Sequence, residues 1–192
     1  NNHTALKSEA LSSPGSAYNI NNVLTQQLTI GIAQSDTQYK AYSDGKKELR
    51  SICALHPEIV TLVASAKSKI KSVEGLEKKA VNLGNYGSGH LQNALEILKI
   101  YDLDKNKLDA NYLNITQSLT ALEQGGLDAY FYTIGHPDKT TLQASKLTTV
   151  RLISIDSSNV DDYITKYPYY TKAVIKKDYY PNTLNKTDTV SL

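Results

Sequence analysis

Apolar residues in this chain fall into short runs separated by polar, glycine and proline positions, and the runs alternate between two periods. Leu28–Ala33 and Ile59–Ala64 are continuous and β-branched, which predicts buried strands. Leu49–Leu55 is a further strand candidate, interrupted by His56-Pro57-Glu58 because proline cannot donate to a ladder. Val81–Gly84, Leu127–Ile134, Val150–Ile155 and Thr171–Lys176 complete the strand set. Between them lie helical patterns. Asp36 is placed to cap a short helix through Tyr39 and Tyr42 that Gly45 stops, and Ser72 to cap one turn carrying Val73 and Leu76. Leu91, Ala94, Leu95 and Leu98 share one helical face. Thr116 is positioned to cap a helix with Leu119 and Leu122 inward, stopped by Gly125-Gly126. Residues 137–144 and 159–166 read as further short helices, and residues 1–27 as polar, turn-rich chain. Strands interleaved with helices predict an α/β sheet.

Composition narrows the function classes. The 192 residues carry 21 Lys+Arg against 19 Asp+Glu, a net charge of +2 that gives no electrostatic case for nucleic acid. No apolar run reaches the ~18 residues of a membrane span. The single cysteine excludes an intramolecular disulfide framework and a multi-Cys metal site, and Cys53, between Ile52 and Ala54, is expected to be a buried, inert thiol. The chain opens Asn1-Asn2-His3, with no Met and no basic-plus-apolar leader, so a fragment with any export signal removed is expected.

The most conspicuous candidate for chemistry is the loop Gly84-Asn85-Tyr86-Gly87-Ser88-Gly89. It lacks the Lys-Ser/Thr of a P-loop, and Gln92 stands where a dinucleotide fingerprint needs its third glycine. What remains is a strand-to-helix turn whose backbone N–H groups and helix dipole suit a carboxylate or a phosphate. On local sequence alone a plain Ser-capped turn is the simpler reading. The histidines His3, His56, His90 and His136 lack zinc-site spacing, and no metal or cofactor is expected. His56 and His136 precede prolines and read as turn residues; His90 could reach a ligand but is expected to face solvent. No G-x-S-x-G elbow is present, and Asp161-Asp162 reads as a solvated face. The 14 tyrosines cluster at Tyr130/Tyr132, Tyr167/Tyr169/Tyr170 and Tyr179/Tyr180, where they could line a polar cleft or simply pack near loops.

Several phrases, in this order, form a family pattern. Gly31-Ile32-Ala33-Gln34-Ser35-Asp36, Leu55-His56-Pro57-Glu58, Gly87-Ser88-Gly89, Gly126-Leu127-Asp128-Ala129-Tyr130-Phe131 and Lys166-Tyr167-Pro168-Tyr169-Tyr170 resemble the TAXI family, also labelled immunogenic periplasmic proteins. These are the solute-binding subunits of a class of TRAP transporters. The resemblance implies a two-lobe, type II periplasmic-binding-protein-like α/β fold, here with an incomplete first lobe. It implies residues 1–55 as part of lobe I, 56–181 as lobe II and 182–192 as a return toward lobe I. It further implies capture of a small anionic solute, glutamate or a related carboxylate, in the periplasm and delivery to TRAP membrane permease subunits.

Carried over position by position, the resemblance implies that Ser16 and Asn19, then Gln34, Ser35 and Asp36, then Gly87, Ser88 and Gly89, and finally Thr133 and Gly135 face the ligand; His90 joins this candidate set from its place on the first turn of the following helix. Tyr86 and Pro14 depart from the family's usual proline and glycine beside the cleft, which bears on solute identity. Two other functions compete with a binding subunit. An enzyme on the same fold would need an acid, base or nucleophile converging on the cleft, and a regulator's effector domain would need an upstream DNA-binding helix pair.

Overall fold

The computed structural model describes residues 7–181, 183 and 187–192; His3 and part of the 182–192 segment lie outside them. Two helices come first, α1 (Ser16–Leu24) and α2 (Ser35–Ser43). They are followed by β1 (Ile59–Ser65), β2 (Ala80–Asn82), α3 (Gly89–Ile100), β3 (Asp109–Asn111), α4 (Ile115–Gln124) and β4 (Ala129–Ile134). Then come α5 (Lys139–Leu147), β5 (Val150–Ile153), α6 (Ser158–Lys166), β6 (Thr171–Ile175) and β7 (Thr187–Ser191).

The seven strands among the described residues join one mixed sheet with the path β3-β2-β4-β1-β7-β6, and β5 also pairs with β1. β2 runs parallel to β3 and β4, whereas β1 runs antiparallel to β4 from Ile59↔Ile134 to Ala64↔Ala129. The strand period of two sorts the side chains of β1 onto two faces. Val60, Leu62 and Ala64 join a core with Ala94, Ile97 and Leu98 of α3 and Val160 of α6. Val63 packs instead with Leu119 and Leu122 of α4 and Ala144 of α5. Helices therefore cover both faces, as a largely buried sheet requires. The α/β architecture is the one expected.

The antiparallel register carries the N-terminal end of β1 to the same edge as the C-terminal ends of β2 and β4. There Glu58 N–H donates to Leu192 O (3.1 Å) and Leu192 N–H to Glu58 O (2.8 Å), so the chain enters and leaves the sheet at adjacent positions. Thr187–Ser191 forms β7, pairing with β6 along its length before ending beside Glu58.

The N-terminal third corrects several expectations. Residues 16–24, read as turn-rich, form α1, whose Ile20 is buried beneath a polar exterior. Leu28–Ala33 is not a buried strand: it is coil, with Ile30 and Ile32 67% and 70% exposed. Leu49–Leu55 is likewise coil, Ile52 is 75% exposed, and Cys53 is exposed rather than buried. An apolar run becomes a strand only where another strand offers a ladder, and among the described residues none lies alongside these two. Helix starts also shift. Asn114, not Thr116, caps α4, in a reciprocal capping box with Gln117, and Ser72 contributes its backbone carbonyl rather than a side-chain cap to the turn at Glu74–Leu76.

Candidate functional site

Three helix N-termini meet at the sheet edge where β2 and β4 end. Ser16 opens α1, Ser35 opens α2 and Gly89 opens α3. Gln34 N–H donates to Ser16 Oγ (3.1 Å), which binds the start of α2 to the start of α1. The absence of a side chain at Gly89 is what permits the convergence. A Cβ there would overlap Gln34 Oε1 and lie 3.1 Å from Ser16 Oγ. Gly15, at φ +132°, sits against Ser88 in the same way, 3.0 Å from its Cα measured from the position a Cβ would take. The first N–H groups of each helix have no acceptor inside it, so positive backbone ends face a common point.

Around that point the expected residues sort into groups. Ser16, Gln34, Ser35, Gly87, Ser88 and Gly89 surround the convergence. Ser88 is also the cap of α3: its Oγ accepts from Leu91 N–H (3.2 Å) and donates to Asn85 O (2.6 Å). Asn19 lies one turn into α1 and donates through Nδ2 to Ile32 O (2.8 Å), which ties α1 to the coil. Gly135 sits beside Pro57 and His56 where the chain enters the sheet.

Asp36 is turned inward. It is 3% exposed, and its carboxylate accepts from the backbone and side chain of Thr37, from Asn93 Nδ2 and from Tyr170 Oη (3.4 Å). Asn93, itself fully buried, also donates to Tyr170 Oη (3.1 Å), while its Oδ1 accepts from Thr133 Oγ1 (2.9 Å). Asp36 and Thr133 thus belong to one buried polar network that joins α2 to α3, β4 and the α6–β6 turn. Burial raises the Asp36 carboxyl above its ordinary range despite these donors.

His90 does not face solvent as expected. Its Nδ1 accepts from Thr133 N–H (3.3 Å), its ring packs 4.8 Å from that of Tyr132, and burial lowers its pKa from 6.5 to about 4. Unfolded chain therefore takes up a proton between pH 6.5 and about 4 that the folded chain refuses, and stability falls as pH drops through that window. The urea midpoint is expected to be lower at pH 4.5 than at pH 7, with a smaller drop in His90→Gln. An equal drop in the variant would assign the effect elsewhere.

Sequence reasoning missed three features. Glu58 is the first: Gln34 Nε2 donates to its Oε2 at 2.6 Å, which puts a carboxylate at the edge of the convergence. Asn93, the hub of the buried network, carries no motif, but it is the polar residue on the inward face of α3 and could have been found as such. The third is an ordered set of hydroxyl, imidazole and acid: Thr61 Oγ1 lies 2.7 Å from His136 Nε2, whose Nδ1 meets Tyr180 Oη and lies 3.7 Å from Asp138 Oδ2. Thr61 is 1% exposed and the His136 side chain fully buried, so this group ties Tyr180 and α5 to the sheet rather than offering a nucleophile to a substrate.

The tyrosines mostly pack. Tyr39, Tyr163, Tyr167, Tyr169 and Tyr170 form a chain of ring contacts at 4.4–5.8 Å between α2, α3 and α6, bordering a cavity of about 200 Å³. Among the described residues no group of three or more His, Cys, Asp or Glu could hold a metal ion, and no helix is long and apolar enough to cross a membrane.

The whole sequence, residues 1–192, matches the NMT1-like family. The chain belongs to the NMT1-like family. Its fold is that of periplasmic binding proteins. The aliphatic sulphonate-binding protein SsuA of Escherichia coli is 17% identical, with a TM-score of 0.51 over 73% of this chain and 47% of that one. The alkanesulfonate-binding protein SsuA of Xanthomonas axonopodis pv. citri, solved bound to MOPS, is 18% identical, with a TM-score of 0.53 over 75% and 48%. The arginine-, lysine-, histidine-binding protein ArtJ of Geobacillus stearothermophilus is 11% identical, with a TM-score of 0.52 over 83% and 74%. This NMT1-like chain spans about half the length of the two SsuA proteins.

Proposed function

We propose that this NMT1-like protein is an extracytoplasmic solute-binding subunit, not an enzyme, that captures a small anionic solute where α1, α2 and α3 begin. The observation that carries the reading is the convergence of three helix N-termini on Gly89, with Gln34 and Ser16 closing around it. Ligands of open α/β sheets bind outside the carboxyl ends of the parallel strands, and β2 and β4 end here. A carboxylate at one such helix end gains about 0.3–1 kcal/mol, and up to ~2 when partly buried.

Residues 1–55 then belong to the first of two lobes, 56–181 to the second, and 182–192 return toward the first; the start of the second lobe at Glu58 pairs its backbone with Leu192. Glutamate or a related carboxylate is the solute, and a TRAP permease in the membrane receives it in the periplasm. This part of the reading rests on the TAXI resemblance. Titration calorimetry of the purified chain with L-glutamate and a panel of dicarboxylates tests it. Saturable binding of one solute per chain is expected, and absence of binding across the panel would overturn it. Ser88→Ala should weaken binding less than about tenfold, because the backbone donors of α3 remain. It should also destabilise the fold by about 1 kcal/mol through loss of the cap. Calorimetry of the variant checks the first effect and urea denaturation the second.

A further inference from the structure

The side chain of Gln34 occupies the convergence, and the way it does so indicates what it stands in for. Its donor end, Nε2, is held by Glu58 Oε2 at 2.6 Å. Its acceptor end, Oε1, is shielded from solvent, has no hydrogen-bond donor among the described residues, and lies against Gly89 at the start of α3. One amide therefore spans the distance from a carboxylate to a positive helix end, with the donor at the negative side and the acceptor at the positive side. The carboxylate and ammonium of an α-amino acid are separated by a single carbon and carry the same polarity.

From this juxtaposition we infer that Glu58 is a specificity-determining residue that selects solutes bearing an ammonium beside the carboxylate, over hydroxy or keto acids of the same skeleton. The inference deepens the proposed function and rests on it. Gln34 swings aside as the solute enters, the solute carboxylate takes the place of Oε1 at α3, and its ammonium takes the place of Nε2 at Glu58. A hydroxy acid fills the first position but leaves Glu58 without a charged partner, and a keto acid sets an acceptor against an acceptor. The free carboxylate of Glu58 also disfavours plain anions, because an unpaired like charge sits within the site.

The test compares L-glutamate, (S)-2-hydroxyglutarate and 2-oxoglutarate by calorimetry on the parent chain, Glu58→Gln and Glu58→Asp. The parent should bind glutamate at least tenfold more tightly than either analogue. Glu58→Gln, of the same shape, should lose about a hundredfold for glutamate while its affinity for the hydroxy acid rises, because the like charge that opposed it is gone. Glu58→Asp should recover part of the preference. Should Glu58→Gln fail to fold, the comparison on the parent decides. Equal binding of glutamate and the hydroxy acid by the parent overturns the role of Glu58 and leaves the anion site standing. Absence of binding by all three overturns both.

Discussion

Asn93→Ala should lower the unfolding free energy by about 3–5 kcal/mol, the largest effect expected of any single substitution away from the hydrophobic core. Asn93 is fully buried and meets three partners at once, Asp36, Tyr170 and Thr133. Hydrogen bonds to charged groups contribute about 1.5–3 kcal/mol. Truncation also leaves a small cavity and a carboxylate with fewer donors in a site that is 3% exposed. Asp36→Asn should cost much less, since the neutral amide has no charge to solvate. The double variant should therefore be more stable than the sum of the single effects implies. Urea denaturation of the four proteins measures the coupling directly. Strict additivity would mean that Asp36 does not depend on Asn93.

Gly89→Asp should abolish binding of an anionic solute while the fold survives. An aspartate at the first position of α3 is favourable to the helix itself, since its charge complements the positive end. Its Cβ displaces the end of a flexible glutamine rather than backbone, which can move cheaply. For a solute carboxylate the same charge is repulsive. Two unit charges ~4 Å apart at an effective dielectric of ~20 repel by about 4 kcal/mol, close to three decades of affinity. Gly89→Asn, nearly the same size and neutral, separates crowding from charge and should retain measurable binding. Calorimetry gives the affinities and thermal unfolding the stability. If Gly89→Asp binds glutamate as tightly as the parent, the helix start is only a cap.

The sheet was legible because its strands are marked locally. Ile59–Ala64 is β-branched and bounded by proline and polar residues, and it forms β1 almost to the residue. The alternation of capped helices with Val81–Leu83, Ala129–Tyr132 and Val150–Ile153 likewise carries its own punctuation. β3 and β7 were not legible. Asp109–Asn111 is short and polar, and Thr187–Ser191 is rich in Thr and Ser, so each is a strand only because a neighbour pairs with it. The opposite error has the same root. Ile30 and Ile32 have the residue types of a strand and stand exposed as coil.

In the site, the glycine turn was visible from spacing, and so was its weakness as a motif. What sequence could not show was that Gln34 reaches Gly89, or that Glu58, 24 residues further along, grips the other end of the same amide. Asp36 illustrates the reverse. Its place in a family phrase marked it from the sequence, while the buried donors of Thr37, Asn93 and Tyr170 that its carboxylate accepts are visible only in the fold.

The central claim is that a solute carboxylate sits at the start of α3. Backbone amide resonances of the 15N-labelled chain, followed during titration with L-glutamate, test it most directly. Large saturating shifts at the amides of Gly89 and His90, with accompanying shifts at Ser16 and the Gln34 side-chain amide, are predicted. Unmoved resonances at Gly89 and His90 under saturating glutamate, or shifts confined to another face of the sheet, would contradict it.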